Sequence, residues 1–107
     1  MKELAQFIKI LGDANRLAII RAIDRGSLSV TEIIQATNLS QTLVSFHLRA
    51  LRNAEIIKTR REGPFIYNSL TVPELVELLG ELSLVAGLEE NFSGQKCSLK
   101  VANQSRM

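Results

Sequence analysis

The stretch from Ser29 to Asn53 limits what this chain can become more than any other. Ser29-Val30-Thr31-Glu32 has the form of a capping box, in which serine and glutamate each satisfy a backbone amide left open where a helix starts. The box opens a short helix carrying Ile33, Ile34 and Ala36. Thr37-Asn38-Leu39-Ser40 then breaks the period. Asparagine tolerates the left-handed backbone of a tight turn, and Ser40 supplies a new N-cap. From Gln41 to Asn53 the apolar residues Val44, Leu48 and Leu51 recur at helical spacing. A short helix, a tight turn and a longer helix make a helix-turn-helix.

The next segments complete a recognisable order. Ile56 to Arg61 and Phe65 to Leu70 are two β-prone runs around Glu62-Gly63-Pro64, which predicts a hairpin. A hairpin directly after the second helix of a helix-turn-helix is a wing. Upstream, Leu4, Phe7, Ile8 and Leu11 predict an amphipathic helix over 3–11. Asp13 caps a second helix with an apolar stripe of Leu17, Ile20, Ala22 and Ile23, and Gly26 ends it. Downstream, Val72 to Leu88 predicts a last helix with Pro73 in its first turn. The expected fold is mainly α with a β-hairpin wing, a winged helix-turn-helix in the order α-α-α-α-β-β-α. Residues 1–90 form one DNA-binding and dimerisation domain in this reading, and 91–107 a polar tail.

Composition narrows the function. With aromatics at 5% and no tryptophan, the core of this 107-residue chain must be built from Leu, Ile and Val. Net charge is only +2, but its distribution is uneven. Residues 40–70 hold Arg49, Arg52, Lys58, Arg60 and Arg61 against Glu55 and Glu62, whereas 71–91 hold five glutamates and no base. Such a division suits one face that meets an anion and another that does not. Cys97 is the single cysteine, which excludes an intrachain disulfide framework and fits a reducing cytosol. No early stretch has the charged start, apolar centre and small-residue cleavage site by which a signal peptide is read, and the apolar runs fall short of a membrane span. The expected location is the cytoplasm, with no membrane partner.

At about 100° per residue, the buried stripe of the 41–53 helix leaves Thr42, Phe46, Arg49 and Asn53 on the far side, flanked by Ser45. Gln41 sits in the first turn, where recognition helices touch bases. The residue types fit that place. Glutamine pairs with adenine, arginine with guanine, serine with either, and an aromatic meets the thymine methyl group. A merely solvated face would also be polar, but it gains nothing from Phe46, whose other use is packing against the wing or a second subunit. Lys58, Arg60 and Arg61 on the hairpin suit phosphates or the minor groove. Alone they would read as charges that keep a strand edge from aggregating; after a helix-turn-helix, contact with DNA is the better reading. His47 lies about 60° off the core stripe and reads as a partly buried packing residue, not a metal ligand.

These residues resemble the ArsR/SmtB family of winged-helix regulators. The likeness rests on Leu11-Gly12-Asp13-Ala14-Asn15-Arg16-Leu17, on Leu39 to Leu48, and on Arg60-Arg61-Glu62-Gly63 running into Tyr67-Asn68-Ser69-Leu70. It covers roughly residues 3 to 85 in unchanged order. The resemblance implies a homodimer joined by the first and last helices, with base recognition by the helix at 41–53. It also implies release of DNA on binding a metal or metalloid in many members. The trigger is where this chain departs. Where arsenic- and cadmium-sensing relatives place Cys-x-Cys, it has Ser29-Val30-Thr31, which lack the thiolates soft metals select. Its last helix has glutamates but none of the histidine that zinc-sensing relatives use. No metal site or cofactor is expected, and the effector is left unassigned. Glu55 stands where the family often has a glycine in a left-handed turn.

The leading reading is a sequence-specific regulator, a repressor, that binds double-stranded DNA as a homodimer on a near-palindromic site. The last helix is too apolar for one covered face: Leu75, Leu79 and Leu82 can serve the core, leaving Leu78 and Val85, with Leu4 and Phe7 of the first helix, for a second copy. Two alternatives stand beside it: a winged-helix protein-interaction module without DNA binding, and a redox- or metalloid-responsive repressor in which Cys97 is the sensor. An enzyme is not expected. The sequence has no phosphate-cradling glycine loop, and Ser45 and His47, two apart on a helix, point away from each other.

Overall fold

The computed structural model describes residues 1–88; Cys97 and the expected tail at 91–107 lie outside the described residues. The element order is α1 (Lys2–Leu11), α2 (Ala14–Ile23), β1 (Leu28–Ser29), α3 (Val30–Thr37), α4 (Gln41–Asn53), β2 (Ile57–Glu62), β3 (Phe65–Leu70) and α5 (Leu75–Val85). The chain divides into two compact units, Met1–Pro73 and Glu74–Met107.

In the first unit, α2, α3 and α4 pack against one another. Ile19, Ile20 and Ile23 of α2, Ile33 of α3, and Val44, Leu48 and Leu51 of α4 are all 2% exposed or less. The buried arc of α2 differs from the stripe expected: Ile19 is inside, while Leu17 and Ala22 are only half-buried. Packing against both α3 and α4 explains this, because two neighbours bury a wider arc than one. On α1 only Leu11 is buried. Leu4, Phe7 and Ile8 remain exposed, at 49%, 37% and 50%.

The wing belongs to a three-stranded antiparallel sheet in the order β1-β3-β2. The strand β1 adds one element to the expected order. With two residues it is too short to show an alternating pattern, and it is held from outside. Asn68, 1% exposed, donates from Nδ2 to the Leu28 carbonyl at 3.1 Å. Ile57 pairs with Leu70 at the base of the wing and Glu62 with Phe65 at its tip, around a turn in which Gly63 takes a φ of 60°.

Helix ends are set by local chemistry. The α2 helix stops at Ile23, earlier than a break at Gly26 would place it, because Asp24 turns the chain with φ 49° and ψ −124°. The Gly26 amide then closes the turn onto the Ile23 carbonyl at 2.8 Å. That is the geometry of a type II′ turn, whose first central position favours glycine. Glu55 keeps the left-handed turn of a glycine, with φ 62°. Its amide bonds the Arg52 carbonyl, and the Ile56 amide bonds Leu51, the paired bonds of a Schellman motif.

In the second unit, α5 starts after Val72 and Pro73, not at them, because proline pushes its predecessor toward extended backbone. Gly87, with φ 79°, ends α5 before Leu88. Leu75, Val76 and Leu79 are buried, whereas Leu78, Leu82 and Val85 are exposed at 52%, 53% and 82%. Leu82 therefore joins the exposed set and not the core set expected from its spacing. No described helix is long and apolar enough to cross a membrane.

Asp24 is a non-glycine residue in a backbone region that L side chains resist, and such strain costs on the order of 1–3 kcal/mol. Asp24→Gly is therefore expected to raise stability by about 1 kcal/mol, after the extra flexibility of glycine in the unfolded chain is subtracted. Urea unfolding of the two proteins checks this. A loss of stability would mean that the Asp24 side chain holds more than the strain releases.

Candidate nucleic-acid interface

The helix-turn-helix is fixed at every joint. Ser29 Oγ accepts from the Glu32 amide at 3.2 Å, and Glu32 Oε1 accepts from the Ser29 amide at 2.8 Å. Thr37 Oγ1 donates to the Ile33 carbonyl at 2.7 Å, ending α3, and Asn38 takes the left-handed conformation with φ 61°. Ser40 Oγ then accepts from the Leu43 amide at 3.2 Å and starts α4. Each joint satisfies amides or carbonyls that a helix end leaves open. The Ser29 hydroxyl is thus committed to a helix cap.

With α4 anchored through Val44, His47, Leu48 and Leu51, its outer side presents Gln41, Thr42, Ser45, Phe46 and Arg49, all exposed. These five expected base-reading residues are brought together on one surface. Arg52 and Asn53 extend that surface, and α4 contains no acidic residue. Phe46 is 61% exposed, so it is not packed against the wing.

His47 is 4% exposed and has polar partners that its position in the sequence does not announce. Arg16 donates from Nε to His47 Nδ1 at 3.1 Å and from Nη1 to the Ile10 carbonyl at 3.1 Å. Because the guanidinium is always a donor, the ring accepts at Nδ1 and carries its proton on Nε2, which lies 3.9 Å from Asp13 Oδ1. Asp13 caps α2 by accepting from the Asn15 and Arg16 amides at 2.8 and 3.1 Å. The Arg16 amide above all, then the Asn15 amide and the nearby His47 and Arg16 side chains, hold its carboxyl below the ordinary aspartate value of 3.8 against an opposing desolvation. Asp13, Arg16 and His47 therefore tie the end of α1 and the start of α2 to α4.

The wing cations do not form one cluster. Arg60 pairs across the sheet with Tyr67 and Arg61 with Ile66, so by strand alternation Lys58 and Arg60 share one face and Arg61 takes the other. Arg60 lies 5.6 Å over the Tyr67 ring and 3.3 Å from Glu62, in an ion pair exposed on both sides. Exposed pairs of this kind are worth about 0–1 kcal/mol, so Arg60 is readily released to an outside anion. Among the described residues, no three His, Cys, Asp or Glu side chains gather as a metal site would require.

A sequence profile described as "Bacterial regulatory protein, arsR family" matches residues 13–59, from the cap of α2 into the wing. The chain is 29% identical to the arsenical resistance operon repressor of Staphylococcus aureus, over 92% of this chain and 90% of that one. It is 33% identical to an HTH-type transcriptional regulator of Methanocaldococcus jannaschii, over 76% of this chain and 96% of the relative. The chain belongs to the ArsR family. Family members are transcriptional regulators and not enzymes, and this ArsR-family chain is likewise a regulator. Its fold matches the solution structure of the homodimeric winged helix-turn-helix DNA-binding domain of a possible ArsR-family transcriptional regulator from Mycobacterium bovis. The TM-score is 0.69 at 28% identity, covering 80% of each chain.

Asp13 is expected to stabilise the fold chiefly in its charged form. With its folded pKa below 3.8, this contribution is present above the ordinary value and is lost as pH falls through the folded one. Asp13→Ala should cost about 1 kcal/mol at neutral pH, and the gap to the parent should narrow in acid below that value. Urea melts across the acid range check it, and a gap that stays constant would contradict the electrostatic part.

Proposed function

We propose that this ArsR-family chain is a repressor that binds a near-palindromic duplex as a homodimer, through α4 in the major groove and the wing on the backbone. The observation that carries the reading is the outer side of α4, where Gln41, Thr42, Ser45, Phe46 and Arg49 are exposed together on a helix without acidic residues. Glutamine, serine and arginine are residue types that read base edges. Lys58 and Arg60 on one face of the hairpin and Arg61 on the other are exposed, and such cations suit phosphates. The family's regulators and the repressor name of the S. aureus relative support repression.

The dimer rests on unpartnered apolar surface. Leu4 and Phe7 of α1, and separately Leu78 and Val85 of α5, face outward. A second copy covers such faces by the commonest symmetry of identical chains, and the M. bovis domain is homodimeric. Two recognition helices related by a two-fold axis would meet successive major grooves about one turn apart.

Affinity for duplex DNA should fall steeply with salt, with about 0.9 counterion released per neutralised phosphate. Arg60→Ala and Arg61→Ala should each weaken binding to all sequences alike and lower the salt slope by about one. Fluorescence titration against random duplexes measures this, and binding that is absent or insensitive to salt would favour a protein-interaction module. Gln41→Ala, Ser45→Ala and Arg49→Ala should instead relax preference at particular base pairs, losing about 1–3 kcal/mol for a bidentate contact. Selection from a random duplex library reads that out; a uniform loss over all sites would leave these residues on the backbone. Leu78→Glu or Val85→Glu would bury an unpaired charge and should convert the dimer to monomer in sedimentation. A parent chain that sediments as a monomer at about tens of micromolar would overturn the dimer.

A further inference from the structure

Phe46 is the one large aromatic side chain on the outer side of α4. It is 61% exposed among Thr42, Ser45 and Arg49. An exposed ring gains nothing from water and much from apolar contact, so its position is informative. Its neighbour His47 is buried. The Phe46 ring stands edge-on to His47, with centroids 5.1 Å apart and planes at 74°, an arrangement aromatic pairs favour. His47 is itself held by Arg16. The ring is thus supported in place and presented outward, which lowers the ordering needed on binding.

Resting on the DNA-binding reading above, we infer that Phe46 is a specificity-determining residue that reads the C5-methyl group of thymine in the major groove. The charge of the surface selects the partner: Arg49 and Arg52 are exposed on α4 and no carboxylate is present there to repel phosphate. The groove selects the contact. Apart from hydrogen-bond donors and acceptors and small C–H edges such as that of cytosine C5, the thymine methyl is the one bulky apolar group there that a phenyl ring can cover. Thr42, Ser45 and Arg49 take the polar edges around it. The operator half-site is therefore expected to contain a thymine next to the bases these polar residues read, and a cytosine or a demethylated thymine there leaves the ring against a gap.

The test uses the full chain and the tightest duplex selected from a random library. Each thymine is replaced in turn by deoxyuridine, which removes the methyl group and keeps the pairing. For the parent, one thymine in each half-site should weaken binding about fourfold when demethylated, the value of one buried methyl-sized group. Phe46→Ala should bind the thymine duplex more weakly, bind thymine and uracil duplexes equally, and keep the parent's salt slope, since no charge is lost. Phe46→Leu, still apolar, should retain part of the discrimination. A Phe46→Ala protein that discriminates as the parent does would overturn the inference, as would a parent indifferent to every demethylation. A shift of Phe46→Ala from dimer to monomer in sedimentation would assign the ring to a second copy and overturn it also. Failure of the underlying reading looks different: the parent would then show no salt-dependent binding to any duplex.

Discussion

Val44, Leu48 and Leu51 are buried on the inner side of α4, and Ile33 of α3 and Ile19, Ile20 and Ile23 of α2 are buried in the same unit. The aliphatic contact among these three helices is the constraint on which the other features depend. It leaves α4 one rotation about its axis, because turning the helix by a single residue would expose Leu48 and bury Arg49. The side chains available to an outside partner are fixed by the ones that are not.

A second, polar link runs through the same region. Arg16 joins the Ile10 carbonyl at the end of α1 to the His47 ring on α4, and Asp13 lies near the far nitrogen of that ring while capping α2. A buried histidine with its acceptor nitrogen filled and a carboxylate close to its N–H is better satisfied than an isolated one. The cluster couples the placement of α1 to that of α4. Leu4, Phe7 and Ile8 of α1 remain exposed, on an element linked through Arg16 to α4.

Much of this was legible in the sequence because it is local. The capping box at Ser29, the turn at Asn38 and the cap at Ser40 each depend on residues within a few positions, and all three form. The outer side of α4 follows from the helical period alone. What escaped is what depends on distance or strain. The two-residue β1 forms by pairing with β3, where Asn68 also reaches the Leu28 carbonyl across 40 positions of sequence, and no alternation over two residues could reveal it. The partnership of Arg16 with His47 spans 31 positions; a histidine just off the core stripe and an arginine one turn after a cap were its only signs. Asp24 and Glu55 hold turns that glycine would favour, so a search for glycines misplaces the end of α2. The two faces of the wing follow from strand register, which assigns Arg60 and Arg61 to opposite sides.

We propose that the outer side of α4, with the wing, is the surface that meets duplex DNA. Backbone amide NMR of the labelled full chain during addition of a selected duplex tests it most directly. Shifts are predicted to concentrate at Gln41, Thr42, Ser45, Phe46 and Arg49 and on the wing at Lys58 to Arg61, with the buried positions Ile20 and Ile33 nearly unmoved. Binding accompanied by shifts confined to other surfaces, with the outer side of α4 unchanged, would contradict it.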